Sequence, residues 1–255
     1  MLQTKPTEHL MGITIQGDYN DFSELVHSIY NITGLEDNSK DMYYGVKNRL
    51  LGICYDIRHA YQGERKVVLV NNNMDKDKMK WHEMITSEQN VYYSVELLFP
   101  EAIFAAAAVP KMYLFSDTYY GNPANKSEKN FPPVPYSNLM KDKANLDVLC
   151  GGIWKALGEV IGDEELKKIM HTYHLERESY MDYATHYIDK CNIELYKTAV
   201  DKRKDKLRNI AKRIVKKPQA YSSMEQNLKY WAKEYKATIY ELKDPTLEYP
   251  EEIEW

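Results

Sequence analysis

The sequence predicts an α+β protein, with a small, mainly antiparallel sheet and flanking helices in the first half and a helical C-terminal half. Three observations carry this expectation. Alternating and β-branched runs fall before about residue 100. From residue 144 onward the apolar residues recur at helical spacing. Between them, 116–143 is rich in Asn, Pro, Lys and Ser, which reads as a connector.

The elements follow in order. Residues 11-MGITIQG-17 alternate Ile13 and Ile15 with polar neighbours and end at Gly17-Asp18, a strand and a turn. In 21-DFSELVHSIYNITG-34, Phe22, Leu25, Val26, Ile29 and Tyr30 fall on one helical face, with Asp21 as cap and Gly34 as stop. The loop LEDNSKD leads into a helix over 42–62 that ends at Gly63. Residues 66-KVVLVNN-72 form a strand. The segments 78–85 and 91–99 read as a hairpin joined through TSEQN. A helix over EAIFAAAAVPKMYLF follows Pro100, and Pro110 is expected to kink or interrupt it.

Pro132-Pro133-Val134-Pro135 must be extended, as a stiff surface connector or as a ligand for a proline-reading domain. Helices are expected at 144–160, 163–191, 193–216 and 221–238. The resulting organisation is an α+β portion at 1–120, a connector at 121–143, a helical portion at 144–240 and an acidic tail at 241–255. The two larger portions can pack as one domain.

Composition narrows the function classes. The chain has 255 residues and a formal charge of −4, so no global field draws it to nucleic acid or anionic lipid. Residues 1–18 show no basic region followed by an apolar run, so no secretion signal is expected. The most apolar window, 97–110, is too short to span a bilayer. Three widely spaced cysteines, Cys54, Cys150 and Cys191, fit reduced thiols in a cytoplasm. The Asn-x-Ser/Thr triplets at Asn31 and Asn125 are then chance matches.

Phosphate-loop, dinucleotide, serine-elbow and C-x-x-C motifs are missing from the sequence. His82-Glu83 opens like H-E-x-x-H, but the fifth position is Thr86. Cys150-Gly151-Gly152 reads as packing or a bend. No cofactor is expected.

Three stretches remain as candidates. The first is 170-MHTYHLERESYMDYATHYIDK-190. On one continuous helix turning about 100° per residue, His171, His174, Glu178, Asp182 and His186 share a face. Leu166, Ile169, Tyr173, Tyr180, Tyr183, Ala184, Tyr187 and Cys191 line the opposite one. Such a helix buries its tyrosines and wets its histidines. A metal on His171, His174, Asp182 and His186 would require a second element to cover that face, and the stretch supplies no Glu-x-x-His pair.

The second candidate is the polar side of the 42–62 helix, carrying Arg49, Gly52, Asp56, Arg58 and His59. Glycine in mid-helix costs about 1 kcal/mol relative to Ala, so a close backbone or a ligand over Gly52 is expected to offset it. Arg49 and Asp56 stand two turns apart and can reach one shared group. The reading is a small polar pocket for an anion or an acid–base pair, against a structural ion-pair network.

The third is the run 201-DKRKDKLRNIAKRIVKK-217, with nine Lys or Arg, two Asp and a local charge of +7. Leu207, Ile210, Ala211, Ile214 and Val215 give it one apolar face. Lys202, Arg203, Lys206, Arg208, Lys212 and Arg213 are the candidate phosphate contacts. An acidic partner, a membrane surface or plain solvent also suits that face. The tail 241–255 carries −5 and can fold back on the run, and few aromatics are present to stack bases.

The expected function is a cytoplasmic, non-catalytic binding or interaction protein with an unidentified protein partner. A nucleic-acid-associated protein using 201–217, and an enzyme using the 42–62 helix, are the alternatives. Sequence alone gives no oligomeric state.

Overall fold

The computed structural model describes residues 2–34, 43–116, 120–121, 134–176, 178–245 and 247–255. The chain is α+β, as the sequence predicts. In chain order it runs β1 (Gln3–Pro6), β2 (Gly12–Gly17), α1 (Tyr19–Thr33), α2 (Tyr44–His59), β3 (Lys66–Asn71), α3 (Lys76–Trp81), β4 (Gln89–Leu98) and α4 (Phe99–Ser116). The second half follows with α5 (Asn138–Ile161), α6 (Asp163–Leu175), α7 (His186–Tyr196), α8 (Val200–Val215) and α9 (Gln219–Tyr235).

The four strands form one antiparallel sheet in the order β1-β2-β4-β3. Alternation explains its inner face: Ile13 and Ile15 pair with Leu97 and Val95, and all four are buried. One edge, β1, is covered by α5, where Gly152 comes so close that a Cβ would stand 2.6 Å from Thr4 Oγ1. The other edge, β3, has no strand beside it among the described residues.

At the centre lies α4. Ala102 through Val109 are all buried, as expected of a helix that is apolar all round. It packs against α1, α2, α5, α7 and α8, so a single buried cluster draws on both halves of the chain. The helix runs on through Pro110 to Ser116. The missing hydrogen bond, which costs about 3 kcal/mol or more, is outweighed by packing on every side. A second buried tie joins α1 to α5: Asp142 accepts from Ser28, Asn31 and Tyr120, each at 2.9 Å. That leaves this buried carboxylate well partnered.

Several sequence expectations need correction. Asp18, not Asp21, caps α1; Asp21 closes the reciprocal capping box. Residues 78–85 are not a hairpin strand. Asp75 accepts from the Lys78 N–H and starts the short α3, and β4 pairs with β3 instead. The C-terminal end of the expected connector is helical, since α5 begins at Asn138. Residues 35–42, 117–119 and 122–133, which include LEDNSKD, Pro132 and Pro133, lie outside the described residues. The expected helix 193–216 is two helices, α7 and α8, parted at Lys197–Ala199.

The largest departure is at 163–191, which is α6, an irregular stretch and α7. Tyr180 takes a left-handed φ of 61°. Such backbone costs on the order of 1–2 kcal/mol for a non-glycine residue. In return, Tyr180 and Tyr183 stack at 5.9 Å and meet Phe104 at 6.1 and 5.0 Å. The tyrosine stripe is buried, but by a bent chain and not by one straight helix.

The last residues also dock. Tyr240 sits where a Cβ on Gly45 would be 2.3 Å from its ring, and Trp255 lies against Gly12. The tail meets the sheet at Trp255 and α7 at Tyr249. Burial lowers the Arg203 pKa, and the charge of Glu254 opposes that.

Candidate functional site

Arg49, on α2, is the centre of a polar cluster inside the fold. Its Nη1 lies 3.0 Å from Glu101 Oε2, and its Nη2 donates to the Thr185 carbonyl at 3.0 Å and to Asp189. Tyr249 donates to Asp189 at 2.7 Å. Asn192 donates to Glu101 at 3.4 Å and to Tyr249 at 3.3 Å, and its own Oδ1 is buried without a partner among the described residues. Four segments thus meet: α2, the first turn of α4, α7 and the tail.

Burial opposes charge on Arg49, but Glu101 and Asp189 outweigh it, and the guanidinium pKa is raised. The Glu101 carboxyl is pushed up from 4.5, first by burial; Arg49 pulls it down and Asp189 pushes it up again. One cation is shared by two carboxylates, one of which holds its proton more readily than usual. Glu101 also borders an open cleft of about 360 Å³, together with Asp56, Arg65, Glu96, Ile253 and Trp255.

The other residues expected on this helix do not converge on Arg49. Among the described residues a Cβ built on Gly52 meets nothing within 4 Å, so neither a close backbone nor a side chain there explains this glycine. Asp56 pairs with Arg65 at 3.0 Å across the half-exposed cleft wall, not with Arg49's partners. Arg58 reaches Tyr30 OH at 3.4 Å and lies over the Tyr55 ring. His59 pairs with Glu64 at 2.5 Å. Sequence reading missed Glu101, Asp189, Asn192 and Tyr249. One signal pointed to Glu101: a lone acid in the otherwise apolar EAIFAAAAVP must find a partner.

The histidine group is dispersed by the bend. His171 and His174 are exposed on α6, Asp182 lies in the irregular stretch 4.0 Å from Lys217, and His186 Nε2 meets the Leu242 carbonyl at 2.9 Å. Among the described residues no group of three or more His, Cys, Asp or Glu is placed to hold a metal.

On α8, Arg203 is buried and donates to the His9 and Thr198 carbonyls at 2.6 and 3.0 Å. Arg213 pairs with Glu194, Lys212 with Glu165 at 3.0 Å, and Arg208 with Asp205 at 3.1 Å. Lys202 is exposed and Lys206 half-buried. Four of the six candidate phosphate contacts thus have acceptors within the chain.

A different surface stands out by its exposure. From Tyr61 to Tyr93 no residue is buried. This excursion is an arm made of β3, α3 and the first half of β4. It nevertheless exposes Val67, Leu69, Trp81, Met84, Ile85 and Val91, with Trp81 at 79% and Ile85 at 100%. By the sheet register Val67, Leu69 and Val91 fall on the same side as the core residues Val95 and Leu97, beyond the reach of the helices.

Among the described residues no helix is long and apolar enough to cross a membrane. No curated protein and no solved structure matches the chain. One family model does, across residues 2–255, and the chain belongs to that family: DUF6904, a domain of unknown function.

Proposed function

We propose that the chain is a non-catalytic interaction protein that docks a protein partner through the arm at 61–93. The observation that carries this reading is the arm's exposure: it has no core of its own, yet it presents large apolar side chains to solvent. A two-stranded hairpin is at best marginally stable in water, and contiguous apolar surface marks interaction sites. The cytoplasmic placement is supported by Cys54, Cys150 and Cys191, all free and buried. We read the α+β and helical portions as a single working unit, because the core runs through both.

The test is a photo-reactive phenylalanine analogue in place of Trp81 in the full chain, illuminated in cells. Leu114 and Met140, exposed apolar residues on the body, serve as control positions. Macromolecular adducts at position 81 well above the controls are expected. Adducts no more abundant than at the controls overturn the reading.

The enzyme reading rests on Glu101, a buried acid with a raised pKa bordering the cleft. A small molecule that protects the chain against heat, with the protection lost in Glu101→Gln, would favour it. The nucleic-acid reading is weakened by the internal partners of Arg203, Arg208, Lys212 and Arg213.

A further inference from the structure

We infer that the partner of the arm is a second copy of this chain, joined edge to edge along β3 with the two-fold axis at Leu69. This rests on the docking role proposed for the arm and names its occupant.

The phase of the ladder selects the residues. In an antiparallel pair, residues alternate between exchanging hydrogen bonds with the neighbour and pointing those groups away. The Asn72 N–H donates to the Glu88 carbonyl at 3.2 Å, in register with Val70↔Asn90, Val68↔Tyr92 and Lys66↔Ser94. The even residues of β3 therefore bond to β4. Val67, Leu69 and Asn71 turn their N–H and C=O groups to the open edge. An unpaired edge of this kind is a template for another strand.

A two-fold axis through Leu69 makes that edge self-complementary. Leu69 faces its own copy, and Val67 faces Asn71. On the core-side face the pairing builds one apolar row across four strands: Val91, Leu69, then Leu69 and Val91 of the second copy. On the other face Lys66 lies opposite Asn72 of the second copy, whose β4 neighbour is Glu88. Two strand spacings, about 10 Å, separate the two backbones, and Lys and Glu side chains together span that gap. Opposite charges thus meet at both ends of the pairing. Antiparallel placement also lays the tip of each arm, with Trp81 and Ile85, toward the root of the other.

The area agrees. A large apolar or aromatic side chain presents roughly 150–250 Å² when open, so the exposed apolar residues of one arm offer on the order of 700 Å². A standard interface takes about 800 Å² from each partner.

The experiment uses the full chain. Sedimentation velocity is expected to give twice the 30.0 kDa of one chain. Leu69→Pro is expected to return the mass of one chain with unchanged helical circular dichroism, because proline is tolerated where the strand N–H faces outward. Leu69→Cys is expected to form a covalent dimer under mild oxidation, since Cα atoms at about 5.5 Å across such a pair suit a disulfide. Asn71→Cys, displaced from the axis, is expected to stay uncross-linked. The native thiols are buried and do not confuse the result.

A wild-type monomer with no Leu69→Cys dimer overturns the self-pairing. If the Trp81 photo-adduct then contains a different protein, the docking role stands and only its occupant changes. If position 81 gives no adduct either, both fall.

Discussion

Arg49 on α2 and Glu101 on α4 stand 3.0 Å apart, and the same guanidinium reaches Asp189 on α7. Two carboxylates from different parts of the chain share one cation that is itself mostly buried. Removing one partner of such a group is costly because the others stay buried and uncompensated. Arg49→Ala is expected to destabilise the fold by about 3–5 kcal/mol. Chemical denaturation with an unchanged m-value would measure it, and a loss under about 1 kcal/mol would show the cluster to be well hydrated.

The acid limb of stability carries two opposite contributions. Glu101 is raised by burial, so the fold binds its proton more readily than the unfolded chain does. Its contribution is complete below the ordinary carboxylate value of 4.5 and is lost as pH rises through the raised one. Glu165 is lowered to about 2 by Lys168 and then Lys212, so its contribution is present above 4.5 and is lost as pH falls toward 2. Relative to wild type, Glu101→Gln should gain stability with rising pH above 4.5. Glu165→Gln should lose less than wild type between pH 4.5 and 2. Midpoints of urea unfolding across pH check both signs.

Two glycines should answer in opposite directions. Gly52 lies within α2 with open space around it, so Gly52→Ala is expected to stabilise by up to about 1 kcal/mol. At Gly12 a Cβ would stand 2.1 Å from the Leu97 carbonyl oxygen, which is backbone and cannot swing away. Gly12→Ala is expected to cost about 1–3 kcal/mol. Thermal unfolding of the two variants against wild type decides it.

On α8, neighbouring cations should behave unlike one another. Arg203→Met leaves the His9 and Thr198 carbonyls without their donor and is expected to cost about 2–3 kcal/mol. Exposed Lys202→Ala should stay within about 0.5 kcal/mol. Equal effects would mean that Arg203 is not held as described.

Burial pushes the Cys54 thiol up to about 11 and the Cys191 thiol up to about 12, and raises Cys150 as well. Only the thiolate reacts, so a disulfide reagent at neutral pH should titrate none of the three in the folded chain. All three should react in denaturant. Rapid labelling of the native protein would show that the core opens locally.

Local periodicity was enough to read the class of the fold. Ile13 and Ile15 announced a strand with one apolar face, and the run after Pro100 announced a helix. The tyrosines at 173, 180, 183 and 187 were legible as a core stripe, because burial follows side-chain chemistry whatever the backbone does. The bend that carries them was not legible. Tyr180 accepts a left-handed backbone because Phe104 and the Val215 carbonyl reward it, and those groups come from other segments. The same holds for the polar cluster. The need of Glu101 for a partner is written in its apolar surroundings, but its pairing with Arg49, 52 residues away, exists only after folding. The open edge of β3 is also a tertiary fact. A run such as KVVLVN reads as a strand wherever it sits; sheet order alone left it at the rim, with its outward groups at Val67, Leu69 and Asn71. Sequence by itself determined which segments are helix-like or strand-like and which faces are apolar, since these depend on neighbours along the chain. Only the tertiary structure decided which charges meet, where helices break and which edge stays open, since these depend on contacts between residues far apart in sequence.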